Sequence, residues 1–178
     1  MRHGPSGRKG RVRATPNMIG VRHVGLAAKN LAALKVFYQD VLGMTVVRET
    51  TADASFGATL FLVHPNGEED HDLVFVADPK AAHTAFEVPS LAELKTAYRE
   101  VKARGVPIKM TLNHAVQLSF YFEDPEGHLI EIYWLTPVRN LSVGLADPID
   151  LDLPEEELRR EVERTARRFG AAAPASAG

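Results

Sequence analysis

His23-Val-Gly-Leu-Ala-Ala-Lys-Asn-Leu-Ala-Ala-Leu-Lys-Val-Phe-Tyr38 and His83-Thr-Ala-Phe-Glu-Val-Pro-Ser-Leu-Ala-Glu-Leu-Lys-Thr-Ala-Tyr98 are two copies of one pattern, sixty residues apart. Leu31, Ala32, Leu34, Lys35, Tyr38 and Val41 return as Leu91, Ala92, Leu94, Lys95, Tyr98 and Val101. A constant offset without gaps marks a duplicated supersecondary unit. Each copy sets a histidine on a strand just before a helix. Packed together, two such units can bring both histidines to one point.

Outward from these stretches the chain repeats its order. Residues 19–27 read as a strand, and Asn30 caps a helix whose Leu31, Leu34, Tyr38 and Val41 share one face until Gly43 ends it. Three strands follow at 45–48, 58–63 and 72–76, with Asn66-Gly67 as the last turn. In the second copy a strand at 82–88 leads into a helix capped by Ser90, running to about Ala103 and stopped by Gly105. Strands at 108–111, 117–122 and 129–135 complete it, with a tight turn at Asp124-Pro125-Glu126-Gly127. The expected fold is α+β: two tandem βαβββ modules forming a curved mixed sheet around a metal site, plus a C-terminal helix. That helix is predicted from a cap at Asp152, with Pro154 first, to about Phe169.

Three regions are expected. Residues 1–17 form a disordered basic arm or leader, 18–140 the paired catalytic domain, and 141–178 a C-terminal arm with a helix and a disordered end. The helix carries Leu151, Leu153, Leu158 and Val162 beside a charged face, which points to contacts in a homo-oligomer. The 178 residues hold no cysteine, which excludes disulfides and thiolate chemistry. A net charge of −2 gives no reason to expect nucleic acid. No apolar run nears the roughly 20 residues of a membrane span, so no membrane partner is expected and the expected compartment is the cytoplasm.

Strand alternation divides the side chains between two faces. His23 falls with Val21, Gly25 and Ala27, and His83 with Ala85 and Glu87. Leu26 and Phe86 point to the helix side. Gln117, Ser119 and Tyr121 share a face, as do Glu131, Tyr133 and Leu135. One side is therefore apolar and the other can line a polar cavity. Glu131 interrupts the apolar run Leu-Ile-Glu-Ile-Tyr-Trp, where a carboxylate is costly unless paired or bound to a cation. Two repeat-equivalent histidines and this glutamate, without thiolates, suit non-haem Fe(II), with Mn(II) the other cation such donors fit. His71 stands to His23 as Glu131 stands to His83, which makes it the repeat mate of Glu131. Both a fourth ligand and an acid/base role are open to it.

Residues 19–137 resemble the vicinal oxygen chelate superfamily of glyoxalase I, bleomycin-resistance proteins and type I extradiol ring-cleaving dioxygenases. The most specific stretch is Ser119-Phe-Tyr121-Phe-Glu-Asp124-Pro-Glu-Gly-His128-Leu-Ile-Glu131-Ile-Tyr. Length and the tail beginning Pro148-Ile-Asp-Leu-Asp are similar to the one-domain, biphenyl-2,3-diol 1,2-dioxygenase-like branch. The resemblance implies metal ligands at His23, His83 and Glu131 and a catalytic histidine at His71, within the pair His71-Asp72. It also implies a substrate-contacting tyrosine at Tyr121 and a further histidine near the substrate at His114. The implied reaction is extradiol cleavage of a catecholic ring with O2. A glyoxalase-like isomerase or lyase with His71 as fourth protein ligand is the rival, and a metal-free binding protein a third reading.

Overall fold

The structure, a computed structural model, describes residues 17–53, 57–65, 71–139, 141 and 146–168. The turn expected at Asn66-Gly67, nearly all of the basic arm and the end of the tail lie outside the described residues. The elements run β1 (Gly20–Ala27), α1 (Leu31–Leu42), β2 (Thr45–Thr50), β3 (Thr59–Val63), β4 (Leu73–Val76), β5 (His83–Glu87), α2 (Leu91–Ala103), β6 (Ile108–Asn113), β7 (Gln117–Glu123), β8 (Leu129–Leu135), β9 (Asp147–Pro148) and α3 (Glu155–Arg168). The fold is α+β, with the βαβββ order present twice. Asn30 and Ser90 accept the backbone N–H of Ala33 and Glu93, so both module helices begin on the side-chain caps that their sequences offer. Gly43, at φ 64°, ends α1 with its N–H on Gln39.

Among the described residues one mixed sheet of nine strands has the order β2-β3-β4-β1-β5-β8-β7-β6-β9. β1 runs parallel to β4, and β5 parallel to β8, while β1 and β5 join the modules antiparallel. The two histidine strands therefore lie side by side at the centre, related by a local twofold. Apolar side chains between the sheet and α2 form the larger core, with Leu91, Leu94, Leu118, Phe120 and Ile132 in one cluster. Leu151, Leu158 and Val162 from the C-terminal segment complete it.

Four expectations need correction. A bulge between Val21 and His23 puts these residues on opposite faces, leaving Val21 on the surface. Helix α1 buries no residue completely. Its Leu31, Leu34 and Tyr38 rest on Met44, Leu60, Leu62 and Phe75, so Leu26 and Val41 remain exposed. Asp152 does not cap α3, which begins on the Pro154 carbonyl; the Asp152 carboxylate pairs with Lys102 on α2 at 2.7 Å. A ninth strand, too short to show periodicity, ties the segment before α3 to β6.

Candidate metal centre and its cavity

His23 leaves the inner face of β1 at 4% exposure, and Glu131 leaves that of β8 at 1%. His83 enters from β5. Its ring lies over Gly25, where an added Cβ would meet His83 Nδ1 at 2.7 Å. Gly25 is thus the gap in β1 that admits the second histidine. His83 Nδ1 meets the Ala81 carbonyl at 2.7 Å, which fixes the proton there and leaves the Nε2 lone pair pointing inward.

Three donor atoms converge. His23 Nε2 lies 3.1 Å from His83 Nε2 and 3.1 Å from Glu131 Oε2, and His83 Nε2 lies 3.3 Å from the same oxygen. Among the described residues these three side chains form the one group whose donor atoms all lie within 4.8 Å of each other. Donors about 2.1 Å from a shared cation stand about 3.0–3.4 Å apart, depending on whether they meet it at right angles or tetrahedrally. The spacings therefore fit a single ion. A single ring proton cannot serve two imidazole nitrogens and a carboxylate at once, whereas a cation can.

The other carboxylate oxygen is held separately. Glu131 Oε1 accepts from Tyr121 Oη at 2.6 Å and from Gln117 Nε2 at 2.8 Å. Burial pushes the Glu131 carboxyl up, but the facing His23 and His83 rings, which donate to it and carry charge when protonated, outweigh this and hold the group well below the usual carboxylate range. Burial also works to lower the His83 imidazole, and the Glu131 carboxylate more than reverses this. Tyr121 is pushed well above its ordinary value by burial and then by the neighbouring carboxylate. It stays a neutral phenol and donates.

The donors open into a cavity of about 260 Å³ that also reaches His71, His114, Tyr121 and Gln117. His71 is buried with its ring centroid 4.3 Å from that of His23, and it is not among the converging donors. The Asp72 carboxylate is engaged by His64 at 2.6 Å. His114 Nε2 lies 3.4 Å from Tyr121 Oη. Its tight turn places Ala115 at φ 62°, with the Ala115 N–H on Asn113 Oδ1. Ser119, on the same strand face, is fully buried and does not reach the cavity.

Register changes the symmetry argument. Ala85 pairs with Glu131, and its repeat equivalent Gly25 pairs with Val74. The structural mate of Glu131 is therefore Val74, three residues beyond His71. Phe61 pairs with Val74 as Tyr121 pairs with Glu131, and Arg48 pairs with Phe61 as Met110 pairs with Tyr121. The second module presents Glu131, Tyr121 and Met110 in a row, and the first presents Val74, Phe61 and Arg48. Sequence reasoning left Gln117, Gly25, Ala81 and Arg48 unassigned. Gly25, a small residue on the His23 face, carried the only usable signal.

A duplicated βαβββ sheet brings two histidines and a glutamate to one point, at spacings that a single cation would fit. Residues 20–132 match the family described as Glyoxalase/Bleomycin resistance protein/Dioxygenase superfamily, and the chain belongs to that family. It is similar to biphenyl-2,3-diol 1,2-dioxygenase 3 of Rhodococcus globerulus, 30% identical over 122 residues, which are 62% of this chain and 60% of the relative. The chain thus spans less than two thirds of that relative's length. Its fold is similar to a variant of homoprotocatechuate 2,3-dioxygenase from B. fuscum, with TM-score 0.60 and 20% identity over 85% of this chain and 38% of the other. It is also similar to the Mn(II)-bound glyoxalase of Novosphingobium aromaticivorans, with TM-score 0.55 and 22% identity over 66% of this chain and 39% of the other.

Proposed function

We propose that the protein is an extradiol dioxygenase, cleaving a catecholic ring beside its two hydroxyls with O2 at a non-haem Fe(II) held by His23, His83 and Glu131. Mn(II) fits the same donors. The observation that carries this reading is the valine opposite Glu131. With Val74 at the symmetric position, His23, His83 and Glu131 would be the three protein donors to the ion, and the cavity beside them would leave room for substrate. The metal would supply a place for both reactants and a route for electron density between them.

The chain's own groups do the rest. His71 stands against His23 and can take a proton from a catechol hydroxyl, then return one later, as imidazole can in either direction. Tyr121 and His114 present a phenol and an imidazole nitrogen that orient the bound ring. Phe61, Val74, Val76 and Val116 give that part of the wall an apolar surface that excludes water. The glyoxalase-like rival needs a fourth donor. Val74 cannot supply one, and His71 is outside the donor group.

Anaerobic loading with Fe(II), then oxygen uptake with a panel of catechols, tests the reaction. Glu131→Ala should lose iron while keeping its far-ultraviolet spectrum; full iron occupancy in that variant would overturn the ligand set. We expect a homo-oligomer as well. Among the described residues, exposed apolar side chains gather on α1 at Val36, Phe37, Val41 and Leu42, while the apolar side of α3 is buried in its own domain.

A further inference from the structure

We infer, resting on the dioxygenase reading, that Asn113 is a positioning residue of the site: through a strained turn it fixes where the His114 imidazole stands in the cavity. Asn113 is buried, at 2% exposure, and does not itself line the cavity. Among the residues that follow it around the turn, His114, Val116 and Gln117 do.

The turn is tight. Residues 114–116 alone join β6 to β7, whereas residues 51–58 join their counterparts β2 and β3. The His114 N–H donates to the Gln117 carbonyl at 2.9 Å, and the Val116 N–H reaches back to the His114 carbonyl at 2.8 Å. Ala115 stands between them at φ 62°, the one non-glycine residue at positive φ among the described residues. That region favours glycine, and a three-residue turn with a positive central φ is the rarer, strained kind. Such a conformation persists only where the surroundings over-determine the backbone.

Here they do. Both backbone polar groups of Ala115 are held by buried side chains: its N–H donates to Asn113 Oδ1 at 2.8 Å, and its carbonyl accepts from Thr136 Oγ1 at 2.6 Å. Each brace is itself tied down. Asn113 Nδ2 donates to Thr165 Oγ1 on α3 at 3.1 Å, and Thr136 Oγ1 accepts the Val138 N–H at 3.1 Å. The Ala115 methyl is fully buried in the core cluster that holds Leu118 and Trp134. A glycine would relieve the strain, but it would leave the place of that methyl empty and the backbone freer. Alanine with two buried braces instead gives the turn one conformation. What the turn carries is thereby fixed: His114 Nε2 lies 3.4 Å from Tyr121 Oη, which donates to Glu131 Oε1 at 2.6 Å. Orienting a bound ring needs such precision, since a displacement of about 1 Å from a distant change can cost about 100-fold in rate.

The test measures oxygen uptake, per bound iron, by Asn113→Ala and Asn113→Ser with a panel of catechols, each variant alone and combined with His114→Ala. Asn113→Ala should lower kcat/KM by about 10- to 100-fold. Asn113→Ser should recover most of it, because a serine hydroxyl accepts the same N–H two residues on, more weakly. In the His114→Ala background Asn113→Ala should change little, since the group it positions is gone. Equal losses in both backgrounds, or no loss in either, would overturn the assignment while leaving the dioxygenase reading intact. If Asn113→Ala fails to fold, Thr165→Val removes only the outer brace and carries the same comparison. Its loss should be smaller and should vanish without His114; a loss that persists there overturns the assignment. Absence of uptake with every catechol in the native protein would instead overturn the dioxygenase reading. Proton–nitrogen spectra of the Zn(II)-loaded protein then decide the asparagine. The His114 imidazole signals, identified by their loss in His114→Ala, should move in Asn113→Ala and return in Asn113→Ser; signals unmoved in the folded alanine variant overturn the assignment.

Discussion

Glu131 divides its two oxygens between two tasks. Oε2 faces His23 and His83, while Oε1 is fixed by Tyr121 and Gln117, so the carboxylate cannot rotate without losing two buried hydrogen bonds. Removing the Tyr121 hydroxyl leaves one acceptor site of a buried carboxylate unfilled. Partners of this kind are typically worth about 10–100-fold in metal affinity or activity, and Tyr121→Phe should show a loss of that size in a competitive chelator titration. His71 differs because its ring packs on His23 without joining the donors. His71→Gln should therefore keep its iron and lose about 10²–10⁴ in turnover, the usual worth of an acid or base. Iron loss in parallel with activity would make His71 a ligand and favour the isomerase reading.

At the scale of strands and helices, the repeat made much of the site legible and also misled. His23, His83 and their shared face could be read because the sixty-residue offset holds from β1 to α2. Glu131 could be read because a carboxylate interrupts an apolar strand. Its mate could not, because Phe61 and its partner Val74 are 13 residues apart while their equivalents Tyr121 and Glu131 are 10 apart, and a fixed offset does not see a local insertion. The bulge at β1 and the partial cover by α1 escaped for a related reason: periodicity reports that a face is apolar, not which neighbour lies against it. The corrected pairing makes its own prediction. Val74→Glu would place a second carboxylate at the twofold-related position, beside the His83 ring. Metal affinity should rise and oxygen uptake with catechols should fall, because a fourth protein donor closes one of the open positions. A variant that kept native affinity and native uptake would show that this register does not govern coordination.

For the whole molecule, the C-terminal segment belongs to the second module's core. Leu158 is fully buried, Leu151 and Val162 nearly so, and all three cluster with Leu94, Leu118 and Trp134. Lys95 on α2 donates to the Leu151 carbonyl at 3.0 Å, and Asn113 on β6 donates to Thr165 at 3.1 Å. Asn113 also holds the turn that carries His114, so α3 supports one end of the cavity as well as the core. The same apolar residues that suggested an assembly surface in the sequence are thus committed within the chain. Leu158→Ala should cost about 2–5 kcal/mol, the range for emptying a buried leucine site, and should appear as a lower denaturant midpoint. Its mass by light scattering should stay that of the native protein under folding conditions, since α3 packs inward. A variant that kept its midpoint but lost mass would return α3 to the interface between copies.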